Sequence, residues 1–165
     1  LSLLSVSMAD SDFGWAVGGP GAFLQYDGQR WHPVEVHLQP SLHSIIALTR
    51  GFALAVGRKG ESLAWNGERW SPLQPATGSH LSSVDATSES HAWAVGSTDM
   101  VYWNGESWSR VTSPVDSALL SVDFLSAADG WAVGDNGSMA RYQSPPLPTP
   151  EPVFSLLLPA CLASD

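Results

Sequence analysis

The chain has 165 residues, 44% hydrophobic and 14% charged, with 16 acidic side chains against 7 basic ones and a net charge of −9. Nucleic-acid affinity rests largely on cations meeting phosphates, so this balance excludes DNA or RNA as the expected partner and disfavours an anionic membrane surface. No apolar run approaches the ~20 residues of a membrane-spanning helix, and a single cysteine, Cys161, leaves no intrachain disulfide to form.

Eight Trp and fifteen Gly suit short strands and tight turns better than helices. One phrase is written four times: Gly14-Trp15-Ala16-Val17-Gly18, Ala53-Leu54-Ala55-Val56-Gly57, Ala92-Trp93-Ala94-Val95-Gly96 and Gly130-Trp131-Ala132-Val133-Gly134. From Trp15 through Leu54 and Trp93 to Trp131 the steps are 39, 39 and 38 residues, a period that marks a repeat architecture. The chain opens inside a unit, since Leu3-Leu4-Ser5-Val6 matches the repeat and neither an initiator Met nor a signal-peptide pattern precedes it. The expectation is a piece of a longer protein, or a mature form stripped of its start.

Each unit begins with a short alternating run, Leu4-Ser5-Val6, His43-Ser44-Ile45, Ser82-Ser83-Val84 or Leu120-Ser121-Val122, which reads as a half-buried strand. A polar turn leads into the Trp-Ala-Val-Gly strand, whose small Ala and Gly would let neighbouring sheets approach. After a Gly-rich connection, a third strand carries apolar residues two apart: Leu24 and Tyr26, Leu63 and Trp65, Val101 and Trp103, Ala140 and Tyr142. Asp27-Gly28, Asn66-Gly67 and Asn104-Gly105 predict two-residue type I′ hairpins. A fourth strand then carries Trp31, Trp70 or Trp108.

The last unit departs from this pattern. Beyond Tyr142 the chain enters Ser144-Pro145-Pro146-Leu147-Pro148-Thr149-Pro150-Glu151-Pro152, where dense proline removes ladder donors and predicts an extended linker. The apolar Val153–Leu158 run beyond it reads as a tail, or as a strand completing the last unit.

Four-stranded sheets with two partly apolar faces cannot cover themselves, and stacking them around an axis does so. The expected fold is therefore all-β, a β-propeller of four-stranded antiparallel blades at about 1–39, 40–78, 79–116 and 117–143, the last incomplete. The linker is 144–152 and the apolar tail 153–165. A ring of six to eight blades at this period needs about 240–310 residues, so part of a larger propeller is expected rather than a closed four-blade ring.

The ordered phrase Gly-Trp-Ala-Val-Gly, Gly loop, Tyr-Asp-Gly or Trp-Asn-Gly, then Trp resembles the repeat of the photosystem II assembly and stability factor propellers, within the broader neuraminidase-repeat-like (BNR-type) bacterial group. The resemblance covers roughly residues 1–143. It implies a non-enzymatic scaffold that binds protein partners, in a bacterial protein that is exported to the cell surface or extracellular space. Photosystem members present an arginine cluster. Here only Arg58 and Lys59 are adjacent among six Arg and one Lys, so that particular binding role does not carry over.

Catalytic readings fare worse. A sialidase-type site needs converging arginines, whereas Arg30, Arg50, Arg58, Arg69, Arg110 and Arg141 fall at different repeat phases. Asp12, Asp129 and Asp135 sit where turn residues bond nearby amides. His32, His37, His43, His80 and His91 lack zinc-ligand spacing, so no metal and no cofactor is expected. Fixed repeat phase makes Trp15, Leu54, Trp93, Trp131, Trp31, Trp70 and Trp108 core residues rather than sugar platforms.

What differs between units is the loop after the repeated phrase. The candidate binding residues are accordingly Arg58, Lys59, Thr98, Asp99, Asp135 and Asn136, on a rim shared with interblade segments 32–41, 71–80 and 109–118. The expected function is a non-catalytic interaction module binding a protein or glycan. The alternative is part of a glycan-active hydrolase with its catalytic residues outside this chain.

Overall fold

A computed structural model describes residues 2–36, 39–97 and 99–143, and the backbone of 153–156. The described residues form sixteen strands: β1 (Leu3–Asp10), β2 (Phe13–Gly18), β3 (Phe23–Tyr26), β4 (Trp31–Pro33), β5 (Leu42–Thr49), β6 (Phe52–Gly57), β7 (Ser62–Trp65), β8 (Trp70–Pro72), β9 (Leu81–Ser88), β10 (His91–Gly96), β11 (Met100–Trp103), β12 (Trp108–Val111), β13 (Leu119–Ser126), β14 (Asp129–Gly134), β15 (Met139–Gln143) and β16 (Val153–Leu156). Taken in chain order they make four separate sheets of four, β1–β4, β5–β8, β9–β12 and β13–β16.

The first strand of the second, third and fourth sheets buries residues at an uneven spacing, as in Leu42, Ile45 and Ala47. Register jumps explain it. One residue is skipped near each end of the β5–β6 pairing, at His43 and at Leu48, so that Leu42 and Ile45 face the same side although they are three apart. The other three sheets repeat both bulges at equivalent positions.

The apolar cores lie between sheets. Trp15, Val17 and Phe23 of the first pack on Leu42, Ile45, Ala47, Ala53, Ala55 and Leu63 of the second. Phe52, Leu54 and Val56 then pack on Leu81, Val84, Ala92, Val101, Trp103 and Trp108 of the third. Trp93, Val95 and Met100 close the series against Leu119, Val122, Phe124 and Tyr142 of the fourth. Each sheet thus presents a leading face to its predecessor and a trailing face to its successor.

Hydrogen bonds fasten the same joints. The Ser5 and Ser7 hydroxyls accept from the Ile45 and Ala47 amides at 3.2 and 2.9 Å. Ser44 accepts from Val84 at 3.1 Å and Ser83 from Val122 at 3.3 Å. Asp85 accepts from the Phe124 amide at 2.6 Å.

Three details differ from the sequence reading. The glycine ending each repeated phrase makes room for the incoming strand of its own sheet, not for a neighbouring sheet: a Cβ on Gly57 would stand 2.0 Å from the Ser41 carbonyl oxygen, and one on Gly96 would stand 1.8 Å from that of His80. The outer hairpins are not type I′ turns. Gly28, Gly67 and Gly105 adopt positive φ but Asp27, Asn66 and Asn104 do not, and the strands close at Tyr26–Trp31, Trp65–Trp70 and Trp103–Trp108 across four-residue loops. The Asx oxygen accepts from the amides two and three residues on, at 2.9 Å each in the first loop, and so stabilises the wider turn. Finally, the fourth sheet is not left at three strands by 143: β16 pairs with β15, Tyr142 opposite Phe154 and Gln143 opposite Val153. The usual two-residue dipeptide signal is missing there because its place is taken by 144–152, which lie outside the described residues, as do 157–165 with Cys161.

Candidate functional site

The loop after each repeated phrase is bolted to the segment that enters the same sheet. The amides of Gly19, Arg58, Ser97 and Asp135 donate to the carbonyls of Ser2, Ser41, His80 and Ala118 at 2.9, 3.0, 3.1 and 2.9 Å. Side chains add to this: Glu61 accepts from the Ser41 amide at 3.1 Å, and the Ser117 hydroxyl bonds Ser138 at 2.8 Å. These loops and the incoming segments therefore form one rim.

On that rim the side chains of Arg58 and Lys59 stand exposed on a single 3-10 turn, with Lys59 in the left-handed region at φ 54°. Asp135 and Asn136 occupy the matching turn of the fourth sheet, also exposed, with Asn136 at φ 56°. Thr98 lies outside the described residues, as does His37.

Asp99 is placed differently from an exposed loop acid. It is 4% exposed and bonded by the Thr77 hydroxyl and the Arg110 guanidinium. Burial by itself would raise its carboxyl, but hydrogen bonds from Thr77, Ser79 and Arg110 together hold it below the ordinary carboxylate range. Asp99 is thus an anchor that ties its loop to the preceding interblade segment. Local sequence gives no signal for this, because the partners come from two separate stretches on either side of it.

Beside this anchor opens a cavity of about 450 Å³, lined by Asp99, Arg110, Thr112, Ser113, Val115 and Asp116. Its walls are mainly polar, with the largely exposed Arg110 side chain reaching over the buried Asp99. The arrangement offers a fixed cation, hydroxyls and a free carboxylate to a polar ligand. Among the described residues no cluster of His, Cys, Asp and Glu has the geometry to hold a metal ion. His43 and His80 stack on each other at 6.1 Å, and the His32 ring meets Asp27 at 2.5 Å.

No protein-family model matches the chain, and no curated protein sequence does. Solved structures do. One described as YCF48 bound to D1 peptide shares 20% identity at a TM-score of 0.67, covering 92% of this chain and 54% of its own. The RRP9 WD40 repeats share 14% at 0.74, covering 94% of this chain and 51% of theirs, and U3-55K shares 14% at 0.73 with the same coverage. The fold is a β-propeller. The four sheets are its blades, and the chain spans about half the length of these neighbours.

The aromatic residues follow the blade joints. Trp15 and Trp93 are buried on trailing faces, and Leu54 holds the same slot in the second blade. Trp15 meets Trp65 and Trp70 of the next blade at 4.9 and 5.1 Å, edge to face. Trp108 is buried and Trp70 partly so, but Trp31 is 39% exposed. Among the described residues Trp31 is thus more open than Trp70 and Trp108, which pack against the blade before them. Trp131, on the last trailing face, is also partly open and lies under the Arg141 guanidinium at 5.1 Å.

Proposed function

We propose that this chain is a non-catalytic protein-interaction module whose rim takes a polar segment of a partner protein. The observation that carries this reading is the cavity flanked by Arg110 and Asp116, set among loops that vary while the blades beneath them repeat. The sequence resemblance to photosystem II assembly and stability factor propellers and the likeness to a peptide-bound propeller support a protein partner over a glycan. Arg50, Arg110 and Arg141 are committed to Asp10, Asp99 and Asp129, which weighs against a converging arginine site of sialidase type. A bacterial cell-surface or extracellular setting is part of the same proposal, resting on the resemblance, and fractionation of the source cells checks it.

The test is selection of a displayed peptide library on the wild-type chain, followed by affinity measurement on Arg58→Glu/Lys59→Glu/Asp116→Lys. These positions are exposed and can change without disturbing the Asp99 anchor. A loss of about tenfold or more, ~1.4 kcal/mol, is expected. Peptide affinity unchanged by the charge reversal overturns the rim, and binding confined to a glycan array replaces the protein partner with a sugar.

A further inference from the structure

The joint between the first and second blades stays open where the next one closes. In the second joint Trp103 and Trp108 are 4% and 7% exposed, with Leu73 and Ala76 packed against their cluster. Their counterparts in the first joint, Trp65 and Trp70, are only partly buried, and they line a cavity of about 650 Å³. Both joints have a blade on each side, so the difference lies in the side chains. The open joint carries Trp15 where the closed one has Leu54, Gln25 for Ala64, Glu35 for Gln74 and Arg69 for Ser107. Each change is to a bulkier or a charged group.

The aromatic walls are fixed in place. Trp15, itself buried, meets Trp65 at 4.9 Å and Trp70 at 5.1 Å, both edge to face. The Trp65 indole donates to the Arg50 carbonyl at 2.8 Å, and Phe23 braces Trp70 at 5.0 Å. Glu68 and Arg69 lie in the four-residue loop between these two tryptophans, where the Asn66 side chain accepts from both their amides, at 3.1 and 2.9 Å. On the first blade the Val34 amide donates to the Phe23 carbonyl at 2.9 Å and sets the position of Glu35. A ligand therefore meets walls that lose little freedom on binding it.

The polar groups of the cavity are uncommitted. Among the described residues Glu35, Glu68 and Arg69 make no ion pair, unlike Arg50, Arg110 and Arg141. The two carboxylates supply acceptors, the guanidinium supplies donors and the Gln25 amide supplies both. A lysine or quaternary ammonium group would match the rings and the carboxylates, but it sets a like charge against Arg69. A phosphate or carboxylate would suit Arg69 alone. A neutral pyranose uses every element: its C–H face stacks on indole, and its hydroxyls donate to Glu35 and Glu68 while accepting from Arg69.

We propose that this cleft is a carbohydrate-binding site, taking a short stretch of neutral glycan between the first two blades. Its volume falls within the range of small-molecule pockets, about 300–1,000 Å³. The site shares no residue with the cavity beside Arg110 and does not depend on the partner of the rim.

Isothermal titration calorimetry of the full chain with cello-, malto-, manno- and chito-oligosaccharides tests this. At least one series is expected to bind at millimolar or tighter affinity, and Glu35→Ala/Glu68→Ala is expected to weaken it about tenfold or more. Both positions are exposed, so the melting temperature is expected to stay unchanged. The rim variant Arg58→Glu/Lys59→Glu/Asp116→Lys is expected to bind the same sugar as the wild type does. No binding by any of the series overturns the proposal, as does binding indifferent to the two glutamate substitutions or lost in the rim variant. A trimethyllysine peptide that binds through Glu35 and Glu68 where the sugars do not overturns it in favour of a cationic partner.

Discussion

Leu54 sits where the other three repeats place tryptophan, and is fully buried against a neighbouring blade that supplies both Trp103 and Trp108. Restoring the repeat by Leu54→Trp is therefore expected to cost about 1–3 kcal/mol by overpacking, read as a lower denaturant midpoint at unchanged slope. Trp15→Ala empties a slot ringed by Phe23, Trp65 and Trp70 and should cost about 3–5 kcal/mol. The glycines separate as sharply. Gly96→Ala forces a methyl onto the His80 carbonyl, and a loss of at least about 1–3 kcal/mol is expected. Gly19→Ala, whose nearest neighbour would be 3.8 Å away, should be close to neutral in the same melt. The sequence showed that these positions repeat. It could not show which of two adjacent glycines meets a carbonyl, because that depends on backbone from the start of the unit.

Among elements, the inner strands hold the joints, and their side-chain acceptors respond to pH in opposite senses. Burial raises the Asp85 carboxyl above its ordinary value, against the pull of the Phe124 and Ala86 amides. A raised folded value means stability present in acid and lost as pH rises through it, so ionised Asp85 is a cost near neutrality. Asp85→Asn keeps an acceptor for the Phe124 amide and is expected to raise the melting temperature near neutral pH, with the gain shrinking in acid. Asp10, Asp27 and Asp129 are depressed, chiefly by hydrogen bonds from Arg50, from the Arg30 and Gln29 amides, and from Arg141; Asp99 is depressed as well. Their contribution is complete above the ordinary carboxylate value of 3.8 and disappears as pH falls through the folded values. Asp10, Asp27 and Asp129 are solvent-screened, so acid is expected only to lower the melting temperature modestly, as circular dichroism across an acid titration will show. Strand order and hairpin pairing were legible from alternation and Asx-Gly spacing. The turn geometry was not, since the same dipeptide serves a two-residue or a four-residue loop, and β16 was obscured because proline replaced the turn signal.

For the whole molecule, each blade leans only on its neighbours, so stability is a sum of units and joints. Among the described residues the second and third blades have two joints each, and the first and fourth have one. Amide exchange is therefore expected to be slowest in β6 and β10 and faster in β2 and β14. The contact of each loop with the segment entering its sheet followed from the propeller reading of the repeat, but the burial of Asp99 was not legible, because its partners Thr77 and Arg110 flank it from other parts of the chain.

The joints described among the blades use side-chain oxygens and packed apolar surface, not a shared backbone ladder. A duplicated or deleted unit of the same length would still meet a serine oxygen at the place of Ser5, Ser44 and Ser83 at its new boundary. Growth or shortening of the gene by whole repeats is thus structurally cheap, and the number of units can drift between related lineages while each unit keeps its form.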